Sequence, residues 1–406
     1  MPINCKIQYF YMFIRIGVLM LAVAVMDSAL ANLKMGAVEF DNGVNLVPML
    51  SFRSFYDDNL LLQNTELTST FATVMSAQLL AQLDDGVNRY QLTGELDKGD
   101  YASSSADNYF DQHIAGEAIL QLFEPASLLI SGTYTAGHEH RGQGLTQGHA
   151  LITEQPLTFH QQFMSSQFNY GDKQSTGRLV FNVKMLIHEY DNQQFMTRNY
   201  DMISYSTGFY YQSGAGGELS VELLKNDKVF AKDNSNNLLR DNVNYQLLTG
   251  VRWKLTGLSA GYIKVGWQKK DFLSEQRRDF GGLSWTAQLD YELRSYSRLI
   301  IETKRQARDP NLIGDYIKES VYMVKAEYSF IDDLKAVIKF DHTREKLTGD
   351  IYRQDQRNSS DFSLWYLLNH HMALNMSFGY VHQQSSDSQY RYQQNVFSIN
   401  IKVGVN

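Results

Sequence analysis

From Val44 to Val405, apolar residues return at every second position in one short segment after another, and the connections between segments are alternately short and long. A period of two sends successive side chains to opposite faces of an extended chain, so each segment reads as a strand with one greasy and one polar face. In Gln394 to Val405, Phe397, Ile399, Ile401, Val403 and Val405 share one side, with Ser398, Asn400, Lys402 and Gly404 on the other. Tyr90, Leu92, Gly94 and Leu96 likewise oppose Arg89, Gln91, Glu95 and Asp97, and Phe181, Val183, Met185 and Ile187 oppose Asn182, Lys184 and His188. Such strands present edges that must be paired, and a closed cylinder removes the edges. The pattern yields about 18 strands (16 to 18), consistent with the even number found in bacterial single-chain barrels.

The connections sharpen this. After even-numbered strands they are short, as in Asp84-Asp85-Gly86, Glu124-Pro125, Thr256-Gly257 and Asp332-Asp333. After odd-numbered strands they are long and polar, as in Lys98 to Phe110, Gly137 to Phe159, Asn226 to Leu239 and Thr343 to Arg357. A soluble sandwich has no reason to sort loops by parity, whereas an outer-membrane barrel has short periplasmic turns and long external loops. The predicted fold is therefore an all-β, antiparallel, up-and-down transmembrane barrel over residues 44–406.

Upstream, Lys6 and Arg15 precede an apolar run from Ile16 to Met26, then Ala29 and Ala31. This predicts a cleaved signal peptide over 1–31, because the run is well short of the ~20 residues of a spanning helix. A short periplasmic segment over 32–43 follows. The single cysteine, Cys5, falls inside the signal, leaving the mature chain without a thiol. These features place the protein in the outer membrane of a Gram-negative bacterium. A net charge of -7 without basic blocks argues against nucleic acid as a partner. Tyr210, Tyr211, Trp253, Tyr291 and Tyr328 lie near strand ends, where interfacial aromatic girdles belong.

The polar phase of the strands nominates a lumen. It places Arg53, Arg89, Lys184, Arg252, Lys254, Lys264, Lys304, Lys325 and Lys339 inward, together with Glu95, Asp97, Glu117, Glu218, Glu222, Asp290, Glu302 and Glu327. With Lys335, Glu319 and Asp341 added, ten bases face ten acids, a wall expected to carry no strong single-sign field. Tyr262 is a candidate for stacking on sugar rings. Eighteen strands close into a cylinder about 36 Å across between backbones.

Reactive chemistry is sparse. His138-Glu139-His140, with His149, Glu154 and His160 in the same connection, is the best metal or acid–base candidate. On an extended chain His138 and His140 could share an ion while Glu139 points away, and a solvated external loop is the weightier reading. Asp57, Asp58, Asp84 and Asp85 read as turn formers rather than calcium ligands. Gly-x-Ser-x-Gly and His-Glu-x-x-His are both absent, so no enzyme, catalytic residue, metal or cofactor is expected.

Three stretches carry a resemblance: Leu46 to Asn59, ending in Tyr56-Asp57-Asp58-Asn59; Gly99-Asp100-Tyr101 with Asn108 to His113; and Gly137 to Gly142. In their order and spacing they resemble the putative beta-barrel porin 2 family. The resemblance implies an outer-membrane barrel, surrounded by lipid, whose relatives sit among genes of exopolysaccharide and capsule synthesis and secretion. It implies a polysaccharide chain as cargo, and a periplasmic export protein is a candidate partner that the sequence does not itself reveal. A general or solute-specific diffusion porin, and a barrel whose surface loops act as adhesin or enzyme, remain alternatives.

Overall fold

The computed structural model describes residues 37–404 except 173–174, 215, 232–239, 257, 312–313 and 350. The expected signal peptide and the first residues of the segment after it lie outside the described residues. β1 (Val38–Glu39) is a two-residue addition to β2, with Val38 opposite Leu46. The long strands are β2 (Val44–Asp57), β3 (Thr70–Asp84), β4 (Arg89–Tyr101), β5 (Tyr109–Phe123), β6 (Ala126–Glu139) and β7 (Leu157–Tyr170). They continue with β8 (Gly177–Tyr190), β9 (Tyr200–Gln212), β10 (Gly217–Phe230), β11 (Asn242–Thr256), β12 (Ser259–Phe272) and β13 (Phe280–Arg294). The remainder are β14 (Ser297–Arg308), β15 (Tyr316–Ile331), β16 (Leu334–Thr348), β17 (Arg353–Asn369), β18 (Met372–Ser385) and β19 (Tyr392–Gly404).

Each long strand pairs antiparallel with its neighbours in sequence, and β19 returns to β2 with Val396 opposite Asp57 and Gly404 opposite Met49. The result is a closed barrel of 18 strands. Closure matters because backbone N–H and C=O groups find no water in a bilayer core, and only a ring of strands pairs them all. The exterior is built from the apolar phase: Phe71, Leu92, Met164 and Trp267 are all more than half exposed. In water that surface would be a liability; against lipid it anchors the barrel.

Several strands run further than their apolar pattern. The polar run Thr343 to Arg357, expected as a loop, is largely strand, since β16 continues to Thr348 and β17 begins at Arg353. Likewise β4 reaches Tyr101 and β10 reaches Phe230, inside the connections expected from Lys98 and Asn226. Above the lipid both faces meet water or loops, so the ladder continues without greasy alternation, and Glu345 still pairs with Asp355 and Arg344 with Gln356. At the opposite end, Asp84 and Asp85 do act as turn formers: Gly86 N donates to Asp84 Oδ1 at 2.9 Å and Asn88 N to Asp85 Oδ1 at 2.6 Å.

Candidate functional site: the lumen and its mouth

Strand register places every nominated residue on the inner face, alternating with the exposed apolar positions. Arg53 stands on β2; Arg89, Glu95 and Asp97 on β4; Glu117 on β5; Lys184 on β8; Glu218 and Glu222 on β10. Arg252 and Lys254 follow on β11, Lys264 on β12, Asp290 on β13, Glu302 and Lys304 on β14, Lys325 and Glu327 on β15, and Lys339 on β16.

Several are drawn into pairs. Glu218 meets Arg178 at 3.1 Å and Arg252 at 3.8 Å, while Glu222 accepts from Lys264 Nζ at 2.6 Å and from the Tyr210 hydroxyl at 2.9 Å. Glu327 takes both Lys325 and Lys335 at 2.7 Å, Lys339 meets Asp341 at 2.6 Å, and Arg298 grips Asp290 with two donors. Arg89 sits at the turn end, 2.8 Å from Asp84. Two partners in these pairs, Arg178 and Arg298, and two bases nearer the mouth, Arg308 and Lys270, were not nominated from sequence. Their inward phase was readable, but they stand at strand ends where the apolar pattern fades.

The balance of charge is global, not local, and this corrects the expectation of a featureless field. The inner faces of β3–β6 carry Asp84, Glu95, Asp97, Asp111, Glu117 and Glu139 against Arg89 alone. Those of β8–β12 carry Arg178, Lys184, Lys228, Arg252, Lys254, Lys264 and Lys270 against Glu218 and Glu222. Between the two arcs, the inner face of β7 has Gln161, Phe163, Ser165, Gln167 and Asn169, and no charge. Acid and base are thus on different sides of one channel, an arrangement that sets up a transverse field.

At the external end the loops turn inward. The β6–β7 loop (140–156) is anchored first by Arg141, whose Nε and Nη2 donate to Asp107 at 2.8 and 2.5 Å. Gly142 then passes so close to the β2–β3 loop that a Cβ there would lie 2.2 Å from the Leu61 carbonyl oxygen, and its φ of +84° is left-handed. Only glycine fits both demands. Beneath it Leu60, Leu61 and Ala150 pack with Phe55, Ala72, Val74 and Tyr101, and Leu145 packs with Leu157, Phe159, Tyr190 and Phe195. Farther on, Asn311 Nδ2 of the β14–β15 loop donates to the Gly144 carbonyl at 3.0 Å. Those two loops spring from points eight strands apart in the ring of 18, so the contact crosses the mouth near its diameter.

The β14–β15 loop is itself drawn in. Asp309 binds Lys270 Nζ at 2.5 Å and Lys228 Nζ at 3.1 Å. Burial pushes its carboxyl upward, but the two ammonium groups outweigh burial and hold it well below the usual carboxylate range. Beside it Arg308 bridges Glu319 at 3.0 Å and Glu345 at 2.6 Å.

The solvated-loop reading of His138-Glu139-His140 is overturned. His138 stacks on Tyr109 with ring centroids 4.0 Å apart and contacts Asp111 at 2.9 Å, and its Nε2 lies 3.2 Å from His140 Nδ1. Glu139 is buried on the other side, accepting from the Tyr190 hydroxyl at 2.7 Å and from Leu145 N at 3.1 Å. Burial, then the neighbouring His138 and Arg53, hold His140 well below the ordinary histidine range. Among the described residues no three His, Cys, Asp or Glu side chains converge as a metal site.

An apolar belt outside, a charged wall inside and loops tucked into the mouth define a porin-like β-barrel of the Gram-negative outer membrane. More specifically, the chain belongs to the putative beta-barrel porin 2 family, whose model matches residues 45–405. Among solved structures it is similar to OccK2 (OpdF) of Pseudomonas aeruginosa in complex with glucuronate, at 10% identity and a TM-score of 0.51, covering 89% of this chain and 98% of that one. It is also similar to OccK5 (OpdH) of the same organism, at 12% identity and a TM-score of 0.50, with the same coverage. At such identities the likeness speaks to the fold. None of the curated proteins matches the chain in sequence.

Proposed function

We propose that the protein is a narrow diffusion channel for small polar solutes, with no reaction of its own. The observation that carries this is the hydrogen bond from Asn311 to the Gly144 carbonyl, through which the β14–β15 and β6–β7 loops meet from nearly opposite points of the rim. A wall of paired and unpaired charges keeps the remaining passage wet, and pore size and lining then select solutes. OccK2, a barrel of similar fold, binds glucuronate, which is a solute of the expected size.

Export of exopolysaccharide or capsular polysaccharide is the second reading, for which a ring about 36 Å wide between backbones leaves room. In that reading residues 140–156 withdraw, through a periplasmic export protein or the polymer itself. Single-channel recording in planar bilayers tests the proposal. The wild type is expected to show small steps, and a variant lacking 143–155 steps several-fold larger; silent bilayers, or steps unmoved by the deletion, would sink it. Loss of surface polymer on gene deletion, with small-solute uptake unchanged, would favour export.

A further inference from the structure

One row of four side chains spans the neutral gap between the acidic and basic arcs and fits a particular class of solute. In strand register Glu117 on β5 stands opposite Ser131 on β6, Ser131 opposite Ser165 on β7, and Ser165 opposite Lys184 on β8. All four are at inward positions, near the middle of their strands. An acid and a base thus flank two hydroxyls along a single hydrogen-bonding row of the inner wall. Among the described residues neither Glu117 nor Lys184 forms an ion pair, whereas most neighbouring charges of the basic arc are engaged.

Three strand spacings separate the two backbones by about 14 Å. Both side chains leaning inward along the row would leave a gap of about 5 Å, too wide for a direct contact and sized for a small molecule. We propose that this row is a binding site for zwitterionic solutes of amino-acid size. The ammonium group meets Glu117, the carboxylate meets Lys184, and the hydroxyls of Ser131 and Ser165 contact the polar atoms between. A solute of one sign gains from one end of the row only. A solute with both signs gains from both, and the field across β7 orients it before it arrives.

This inference rests on the channel reading, and one recording separates the two. With purified protein in planar bilayers, L-asparagine is expected to reduce the ion current saturably, with arabinose at equal concentration producing no saturable block. Glu117→Gln and Lys184→Gln should each raise the half-blocking asparagine concentration about tenfold, the loss of one charge-assisted contact. The double exchange Glu117→Lys with Lys184→Glu keeps one acid and one base and should restore block. Current without saturable asparagine block, or block equal in wild type and both single variants, overturns the zwitterion site and leaves the channel. Absence of any current overturns the channel reading and this inference with it.

Discussion

Asn59 and Gln393, 334 positions apart in the chain, are joined by a 2.7 Å hydrogen bond from the asparagine Nδ2 to the glutamine carbonyl. The same amide donates to the Gln63 carbonyl at 2.8 Å, and its Oδ1 accepts from Gln63 N at 3.0 Å. Beside it Asp58 accepts from both Asn395 N and Nδ2 at 2.7 Å, and Asp57 accepts from Gln394 Nε2 at 2.8 Å. The Asp57-Asp58-Asn59 run therefore clasps β19 above the seam that closes the barrel. Asn59 is fully buried, so Asn59→Ala strands three backbone groups and should cost about 3 kcal/mol. Urea titration of the reconstituted protein reads the loss, and an unchanged midpoint would mean that the clasp contributes nothing.

Arg141 makes a second prediction. Its partner Asp107 is 1% exposed, so Arg141→Met leaves a buried carboxylate without its cation. The expected destabilisation is about 3–5 kcal/mol. Replacing both, Arg141→Met with Asp107→Leu, should recover most of it, and limited proteolysis within 140–156 should follow the same order.

Lipid exposure is tested at adjacent positions of one strand. Leu92 points outward and is 55% exposed, while Thr93 faces the lumen. Leu92→Arg should cost about 2–4 kcal/mol and impair insertion. Thr93→Arg should insert normally, and similar behaviour of the two would contradict the assigned face.

His140 gives the pH dependence. Its folded pKa lies below the unfolded value, so the imidazole stays neutral in the fold while the unfolded chain takes up a proton. The stability it permits is present above pH ~6.5 and falls as pH drops, by at most about 1.4 kcal/mol per unit. Urea midpoints at pH 7.5 and 5 should therefore differ more for the wild type than for His140→Gln.

Much of this architecture could be read from the chain because lipid imposes a strict rule: Leu92 must be apolar and its neighbours must not. The inward charges followed from the same phase. Where lipid stops, so does the rule, which is why Thr343 to Arg357 passed for a loop although Glu345 and Asp355 are paired strand residues. The burial of His138, Glu139 and His140 was hidden for a different reason. It depends on Tyr190, Leu145 and Tyr109, contributed by other segments, and no local pattern reports a loop folding back into its own barrel. The separation of acid from base was present in the register, but a tally over the whole wall cancels it.

Among the described residues the β19–β2 seam has nine paired positions, against fifteen between β15 and β16, and it joins residues as distant as Asp57 and Val396. Contacts of such separation are the slowest to form, because the intervening chain must be ordered first. Until β19 arrives, β2 waits with an open edge that another copy could capture. Assembly of this wall is thus a race between closure and aggregation, and the Asp57-Asp58-Asn59 clasp acts at the finish.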